Sequence, residues 1–196
     1  MSGSITVGGK ILASHDNVSG KLSMSGDVDL ANVDMSNMVF PAGHVVQTVY
    51  SYFDDHFSTT TDADSGLSGT INVSSSSNDV LIICSILWMA NNNGGYFSLC
   101  LPDNTIINRP DQYSTYNLQA RHHWGSVYGD SSYLNYNSRR DTFSTVYSPN
   151  ASGNLTIKLR AFCTGTTVFL NRNSYNGNRV YEPTGISTMI LMEIQR

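Results

Sequence analysis

Two adjacent imidazoles, His122 and His123, flanked by Arg121 and Trp124, are the side chains in this chain best suited to acid–base or metal chemistry. Neighbouring strand residues point to opposite faces, so one site could hardly use both. The sharpest form of a metal site would be one His from each of three subunits on a symmetry axis; the alternative is a surface or interface role. Asp62, Asp64 and Gly66 set carboxylates two residues apart beside a turn glycine, as at the start of a Ca²⁺ loop. The third acidic position and the distant Glu are missing, so a solvated loop is the simpler expectation. Asp54-Asp55 reads as a charged strand end. No G-x-S-x-G, H-E-x-x-H, P-loop or C-x-x-C motif occurs. With no acid/base pair to single out, neither an enzyme nor a cofactor or metal is expected.

A different chemistry is suggested by the middle of the chain. Tyr113, Tyr116, Trp124, Tyr128, Tyr133, Tyr136 and Tyr147 are mixed there with Asn117, Asn135, Asn137, Arg139 and Arg140. Flat aromatic faces beside amide and guanidinium donors suit a sugar or protein ligand. Tyr113, Tyr116, Trp124, Tyr128, Tyr133, Tyr136 and Arg139 are therefore candidates for contact with a receptor, a host surface glycan included. The competing reading is that these rings pack at a subunit interface or at sheet ends.

The elements that would carry these groups are strands. Asn, Ser, Thr, Gly and Tyr are abundant in the 196 residues, and long Glu/Lys/Ala/Leu runs are missing, so little helix is expected. A net charge of −4 with only 13% charged residues argues against a nucleic-acid partner and against disorder. No apolar stretch approaches the roughly 20 residues of a spanning helix, so no membrane insertion is expected. MSGSITVGGK lacks a basic segment followed by an apolar run, and Cys84, Cys100 and Cys163 lack metal-type spacing. Synthesis in a reducing cytoplasm is the expectation.

From Val45 onward, short alternating runs separated by turns predict strands at Val45–Phe53, Gly69–Val73, Asp79–Ala90, Thr142–Tyr147, Leu155–Ala161 and Ile186–Ile194. Less regular ones fall at Gln119–Gly125, Val127-Tyr128 and Tyr133–Tyr136. NNNGG predicts that Tyr96–Leu101 returns as the hairpin partner of Asp79–Ala90, and Cys163-Thr164-Gly165 that Thr166–Asn171 pairs with Leu155–Ala161. About nine or ten short strands indicate an all-β, two-sheet antiparallel jelly-roll sandwich over residues 41–196. Residues 1–40 differ: Leu22/Met24, Val28/Leu30 and Val33/Met35 form short apolar pairs set among Ser, Gly, Asp and Asn. They read as an extended or β attachment segment, or as an arm that orders on its partner.

Two strands are apolar on both faces. In Asp79–Ala90, Val80, Ile82, Cys84, Ile86 and Trp88 alternate with Leu81, Ile83, Leu87 and Met89; in the last strand, Met189 and Leu191 (with Glu193) alternate with Ile190, Met192 and Ile194. An antiparallel sheet normally keeps one face wet. The second face is expected to be covered by another copy of the chain, through Leu81, Ile83, Leu87, Met89, Ile190, Met192 and Ile194, unless these strands are sandwiched within one subunit.

The segments FPAGHVVQTVYSYF, GLSGTINVSSSSNDVLIICSI and TVFLNRNSYNGNRVYEPTGISTMILMEI together resemble a module of marine tailed-bacteriophage virion proteins, cyanophages among them. The match is carried by Thr167, Val168, Asn171 and Arg172, then by Gly185, Ser187, Thr188, Met192, Glu193 and Ile194. It spans residues 39–196. In the Ser-rich turn, Val73, Asn78 and Asp79 stand where the module has Pro, Ser and Lys. The resemblance implies a homotrimeric virion surface protein with a head similar to tumour necrosis factor-like jelly rolls. The expected role is capsid decoration or head spike, attached through the N-terminal segment (Leu22, Met24, Val28, Leu30, Val33, Met35) to other virion proteins. The alternative is a tail-fibre or spike tip that binds a host receptor.

Overall fold

A computed structural model describes residues 3–7, 10–15, 22–24, 42–90, 95–108, 124–125, 138–163, 165–172 and 185–196. The chain divides into two compact units, Met1–Val39 and Phe40–Arg196. In the first, β1 (Gly3–Val7), β2 (Lys10–His15) and β3 (Leu22–Met24) form an antiparallel sheet in that order. The β1–β2 hairpin was not among the sequence expectations. The Gly8-Gly9 dipeptide between two alternating runs is the signal that could have suggested it. Leu22 and Met24 lie on β3; Val28, Leu30, Val33 and Met35 lie outside the described residues.

The second unit is all-β, with no helix among the described residues, and its two antiparallel sheets are compatible with a jelly-roll sandwich. One sheet is organised around β7 (Asp79–Ala90). Over its first half β7 pairs on one side with β13 (Ser187–Ile194), which in turn pairs with β4 (Val45–Phe53). Over its last three residues β7 pairs with β12 (Val168–Leu170), backed by β5 (Phe57–Thr59). The other side of β7 is taken by β10 (Arg139–Tyr147). The second sheet runs β6 (Ala63–Val73), β11 (Gly153–Cys163), β8 (Gly95–Cys100), β9 (Trp124–Gly125).

Both predicted hairpins are corrected by this topology. β8 pairs with β11 and β9 rather than with β7, and β12 pairs with β7 and β5 rather than with β11. A strand has two edges. Those of β7 are filled by β13 and β12 on one side and β10 on the other; those of β11 are filled by β6 and β8. Each short connection therefore crosses from one sheet to the other. Gly95 lies at the first crossing. A Cβ there would stand 2.2 Å from Val168 Cγ1 and 2.7 Å from Ala90 Cβ, so only glycine fits.

The core lies between the sheets. Val80, Ile82, Cys84, Ile86 and Trp88 of β7 and Met189 and Leu191 of β13 face Leu67, Ile71 and Val73 of β6, Ile157, Leu159 and Ala161 of β11, and Phe97 and Leu99 of β8. Burying each large aliphatic contributes roughly 1.5–3 kcal/mol, so these strands form the stabilising centre. Trp88 meets Phe97 edge-on, with ring centroids 5.8 Å apart. In β6 two extra residues bulge opposite Leu159: Lys158 pairs with Ser68 but Arg160 with Asp64. Gly66 takes a positive φ of 94° there, against the Phe53 ring, and the Ser65 hydroxyl donates to Leu159 O at 2.9 Å.

Candidate functional site

The outer face of the β4–β13–β7–β10 sheet is the candidate site. Its rows follow from register. Val146, Leu81, Met192 and Thr48 lie side by side; beside them run Ser144, Ile83, Ile190 and Tyr50; then Thr142, Ser85, Thr188 and Tyr52. One row is mostly apolar, the next mixed, and all four side chains of the third carry a hydroxyl. None of the twelve side chains is charged. Tyr50, Tyr52 and Val146 are more than half exposed, and Val46 is exposed beside them. The Tyr50 and Tyr52 rings stack with centroids 6.3 Å apart. Leu81, Ile83, Ile190, Met192 and Ile194 are half-buried among their neighbours. Strand spacing of about 4.8 Å and row spacing of about 6.6 Å give a footprint of about 400 Å². Seven of its twelve side chains are apolar or aromatic and five are Ser or Thr, and an uncharged surface of this kind suits an interaction face.

Among the described residues, charges occur only at the ends of this face. At the lower end, Arg196 pairs with Asp79 at 2.6 Å, and Ser148 donates to the same carboxylate at 2.6 Å. The Ser148 bond, with help from Arg196, holds Asp79 below its usual range. At the upper end, both Arg140 Nη groups donate to Ile186 O at 3.1 Å.

Two residues expected on the face are elsewhere. Leu87 and Met89 continue the alternation of Leu81 and Ile83, yet they are only 8% and 4% exposed within the single chain. Beyond Ser85 the surroundings of β7 change, because β13 gives way to β12. Gly185 lies against Leu87, where an added Cβ would come within 2.7 Å of Leu87 Cδ2. The Leu87 backbone is held along the β13/β12 edge, its N–H donating to Ser187 Oγ (3.2 Å) and its carbonyl accepting from Asn171 N (2.7 Å). They offer no free apolar surface.

Several residues that carry the virion-protein resemblance hold the sheet together. Asn171 and Ser187 are fully buried. The Ser187 hydroxyl donates to Asn171 Oδ1 at 2.6 Å, and Asn171 Nδ2 donates to the carbonyls of Phe53 (2.7 Å) and Asp55 (3.0 Å). Asn171 itself sits at φ 60°, a left-handed conformation that Asn tolerates better than most residues. This hub ties the end of β4 to β7, β12 and β13. Glu193 is likewise fully buried and hydrogen-bonded at the opposite end of β13. Neither hub was foreseen. The signal was a polar residue in an inward position: Ser187 and Glu193 share the parity of Met189 and Leu191.

Of the receptor candidates, Tyr113, Tyr116, Tyr128, Tyr133 and Tyr136 lie outside the described residues, as do His122 and His123. Trp124 lies on β9 and its backbone pairs with Phe97. Arg139 is engaged inside the chain: its guanidinium lies 4.6 Å over the Trp88 ring and pairs with Asp141 at 2.7 Å, while Trp88 Nε1 donates to the same carboxylate at 2.8 Å. Those contacts steady the core tryptophan and leave the guanidinium less available to a ligand.

Of the acidic pattern at Asp62–Gly66, Asp64 and Gly66 lie at the start of β6, and Asp62 lies in the bend just before it. Asp64 is bound by Lys158 (2.9 Å) and Arg160 (2.7 Å), and Asp62 Oδ1 accepts from Cys163 N (2.9 Å). Burial works to raise Asp64, but the bonds from Lys158 and Arg160 outweigh it and hold the carboxyl below its usual range. A cleft of about 220 Å³ beside it is lined by Asp64, Ser68, Pro102, Thr156 and Lys158, and its one carboxylate is the Asp64 already paired with Lys158 and Arg160. Among the described residues no His, Cys, Asp or Glu cluster could hold a metal ion. The three thiols are free; burial pushes Cys84 well up and Cys100 up to about 11.

No protein-family model matches the chain, and no curated protein matches it either.

Proposed function

We propose that the chain is a non-enzymatic virion surface protein of a tailed bacteriophage, a homotrimer joined through the outer face of the β4–β13–β7–β10 sheet. Its role is capsid decoration or head spike, with residues 1–40 as the attachment segment. The observation that carries the assembly reading is the uncharged face itself, with Tyr50, Tyr52, Ile190 and Met192 on it and ion pairs only at its margins. Charge depletion with Tyr and Met enrichment is the composition of an interface core. The second sheet turns Asp64, Ser68, Thr70 and Asn72 outward, which suits solvent. The virion assignment rests on the resemblance carried by residues 39–196. A knob with threefold symmetry suits threefold or quasi-threefold positions of a shell, and binding there would stabilise the particle by mass action.

The test is sedimentation of the full chain beside Met192→Asp, Ile190→Asp and, as a control on the second sheet, Thr70→Asp. Trimers are expected for the parent and the control. The two face variants should fall to folded monomers, because the new carboxylate would be trapped unpaired in a dry contact. A folded monomeric parent at micromolar concentration would refute the assembly. Copy number per particle separates the locations: hundreds support the capsid reading, and a few tens or fewer support the tail tip.

A further inference from the structure

Glu193 is a fully buried carboxylate with no basic group bound to it among the described residues. It sits at the lower end of the sandwich, where β4 begins, β13 ends and the Ser74–Asn78 turn joins β6 to β7. Four neutral donors reach it. Oε1 accepts from Ser74 N (2.8 Å), Ser74 Oγ (2.6 Å) and Asn78 Nδ2 (2.7 Å); Oε2 accepts from Gln47 Nε2 (2.6 Å). Gln47 Nε2 also donates to Asn72 O at 2.6 Å. The carboxylate thus anchors a relay, Glu193 to Gln47 to Asn72, running from the last strand of one sheet through β4 to β6 in the other.

We infer that Glu193 is an acid-released clamp, whose protonation breaks the link between the two sheets at this end of the sandwich. The reason lies in donor and acceptor counts. Oε1 already takes three donors, so an added proton goes to Oε2, where it meets the Gln47 N–H. Two donors then face each other. If the Gln47 amide turns over to accept that proton, its oxygen faces Asn72 O, and two acceptors collide. One proton therefore costs one contact or the other, and the loss of either breaks the relay. The bonds to Ser74, Gln47 and Asn78 outweigh burial and hold the carboxyl below its usual value of 4.5. A depressed acid contributes stability above its unfolded value and loses it as pH falls through the folded one, so the clamp opens below about pH 4.5.

Other charges do not take over this role. β4 carries none, and neither does the Ser74–Asn78 turn. His44, just before β4, uses its backbone carbonyl to accept from Gln195 N. Asp79 and Arg196 pair with each other, and on β6 Asp64 pairs with Lys158 and Arg160. The clamp does not depend on the outer face being an interface.

The test is denaturant unfolding of the full chain at fixed concentration from pH 7 to pH 3, for the parent, Glu193→Gln and Gln47→Ala. Asp64, Asp79 and Asp103 titrate in all three proteins and cancel in the differences. The parent should exceed Glu193→Gln at pH 7, and that gap should close as pH falls below 4.5. Gln47→Ala removes one donor to the carboxylate, which brings its folded-state value up toward the unfolded one, so its acid loss should be smaller and should finish at a higher pH than in the parent. If Glu193→Gln does not fold, the Gln47→Ala shift carries the test. A gap that stays constant from pH 7 to pH 3, or an acid limb unmoved by Gln47→Ala, would overturn the clamp.

Discussion

Replacing Asn171 by alanine tests the buried hub most directly. Asn171 is fully buried, and its amide donates to Phe53 O and Asp55 O and accepts from Ser187 Oγ, all within 3.0 Å, the last bond buried and the first two part-buried. Alanine leaves two carbonyls and one hydroxyl short of a partner. At about 1 kcal/mol for each lost bond, and more where a group stays unsatisfied, the hydrogen-bond loss comes to about 3 kcal/mol. The backbone adds to this, because at φ 60° an alanine is disfavoured by about 1 kcal/mol. Asn171→Ala should therefore destabilise by about 3–5 kcal/mol, a large share of a domain's stability. Asn171→Gly loses the same bonds but tolerates the left-handed backbone, so it should be milder by about 1 kcal/mol. Urea unfolding at fixed protomer concentration would measure both. A loss below about 1 kcal/mol for alanine, or glycine the worse of the two, would refute the account of the hub.

Three further outcomes follow from the same contacts. Gly95→Ala should destabilise by about 1–3 kcal/mol or prevent folding, since the methyl overlaps Val168 and Ala90 at the sheet crossing; a melting curve decides it. Trp88→Phe removes the bond to Asp141 and the platform under Arg139, and should cost about 2–3 kcal/mol by denaturant unfolding while the fold, read by circular dichroism, persists. With a thiol reagent and mass spectrometry as readout, half-buried Cys163 should label before Cys84 and Cys100, which should react only as the chain unfolds.

The main strands and their faces were legible in the sequence, because side-chain alternation is a local property of the backbone, whereas β1, β2, β5 and the start of β6 were not read there. Val45–Phe53 and Asp79–Ala90 were legible to the residue, and the last strand to within one. The inward set from Val80 to Trp88 and the outward set Leu81, Ile83, Ile190, Met192 followed from parity alone. Tertiary structure decided which strands are neighbours. A turn such as NNNGG or Cys163-Thr164-Gly165 shows that the chain reverses, not whether it reverses within one sheet or between two. That depends on which edges of β7 and β11 distant segments have already filled. It also decided where the outward face stops. Leu87 and Met89 have the parity of an exposed pair, but β12 replaces β13 beside them and Gly185 closes over Leu87. The polar groups show the same division. Parity pointed Ser187 and Glu193 inward, but their partners Asn171, Gln47 and Asn78 lie 16, 146 and 115 residues away, and only the packed sandwich brings those donors and acceptors together.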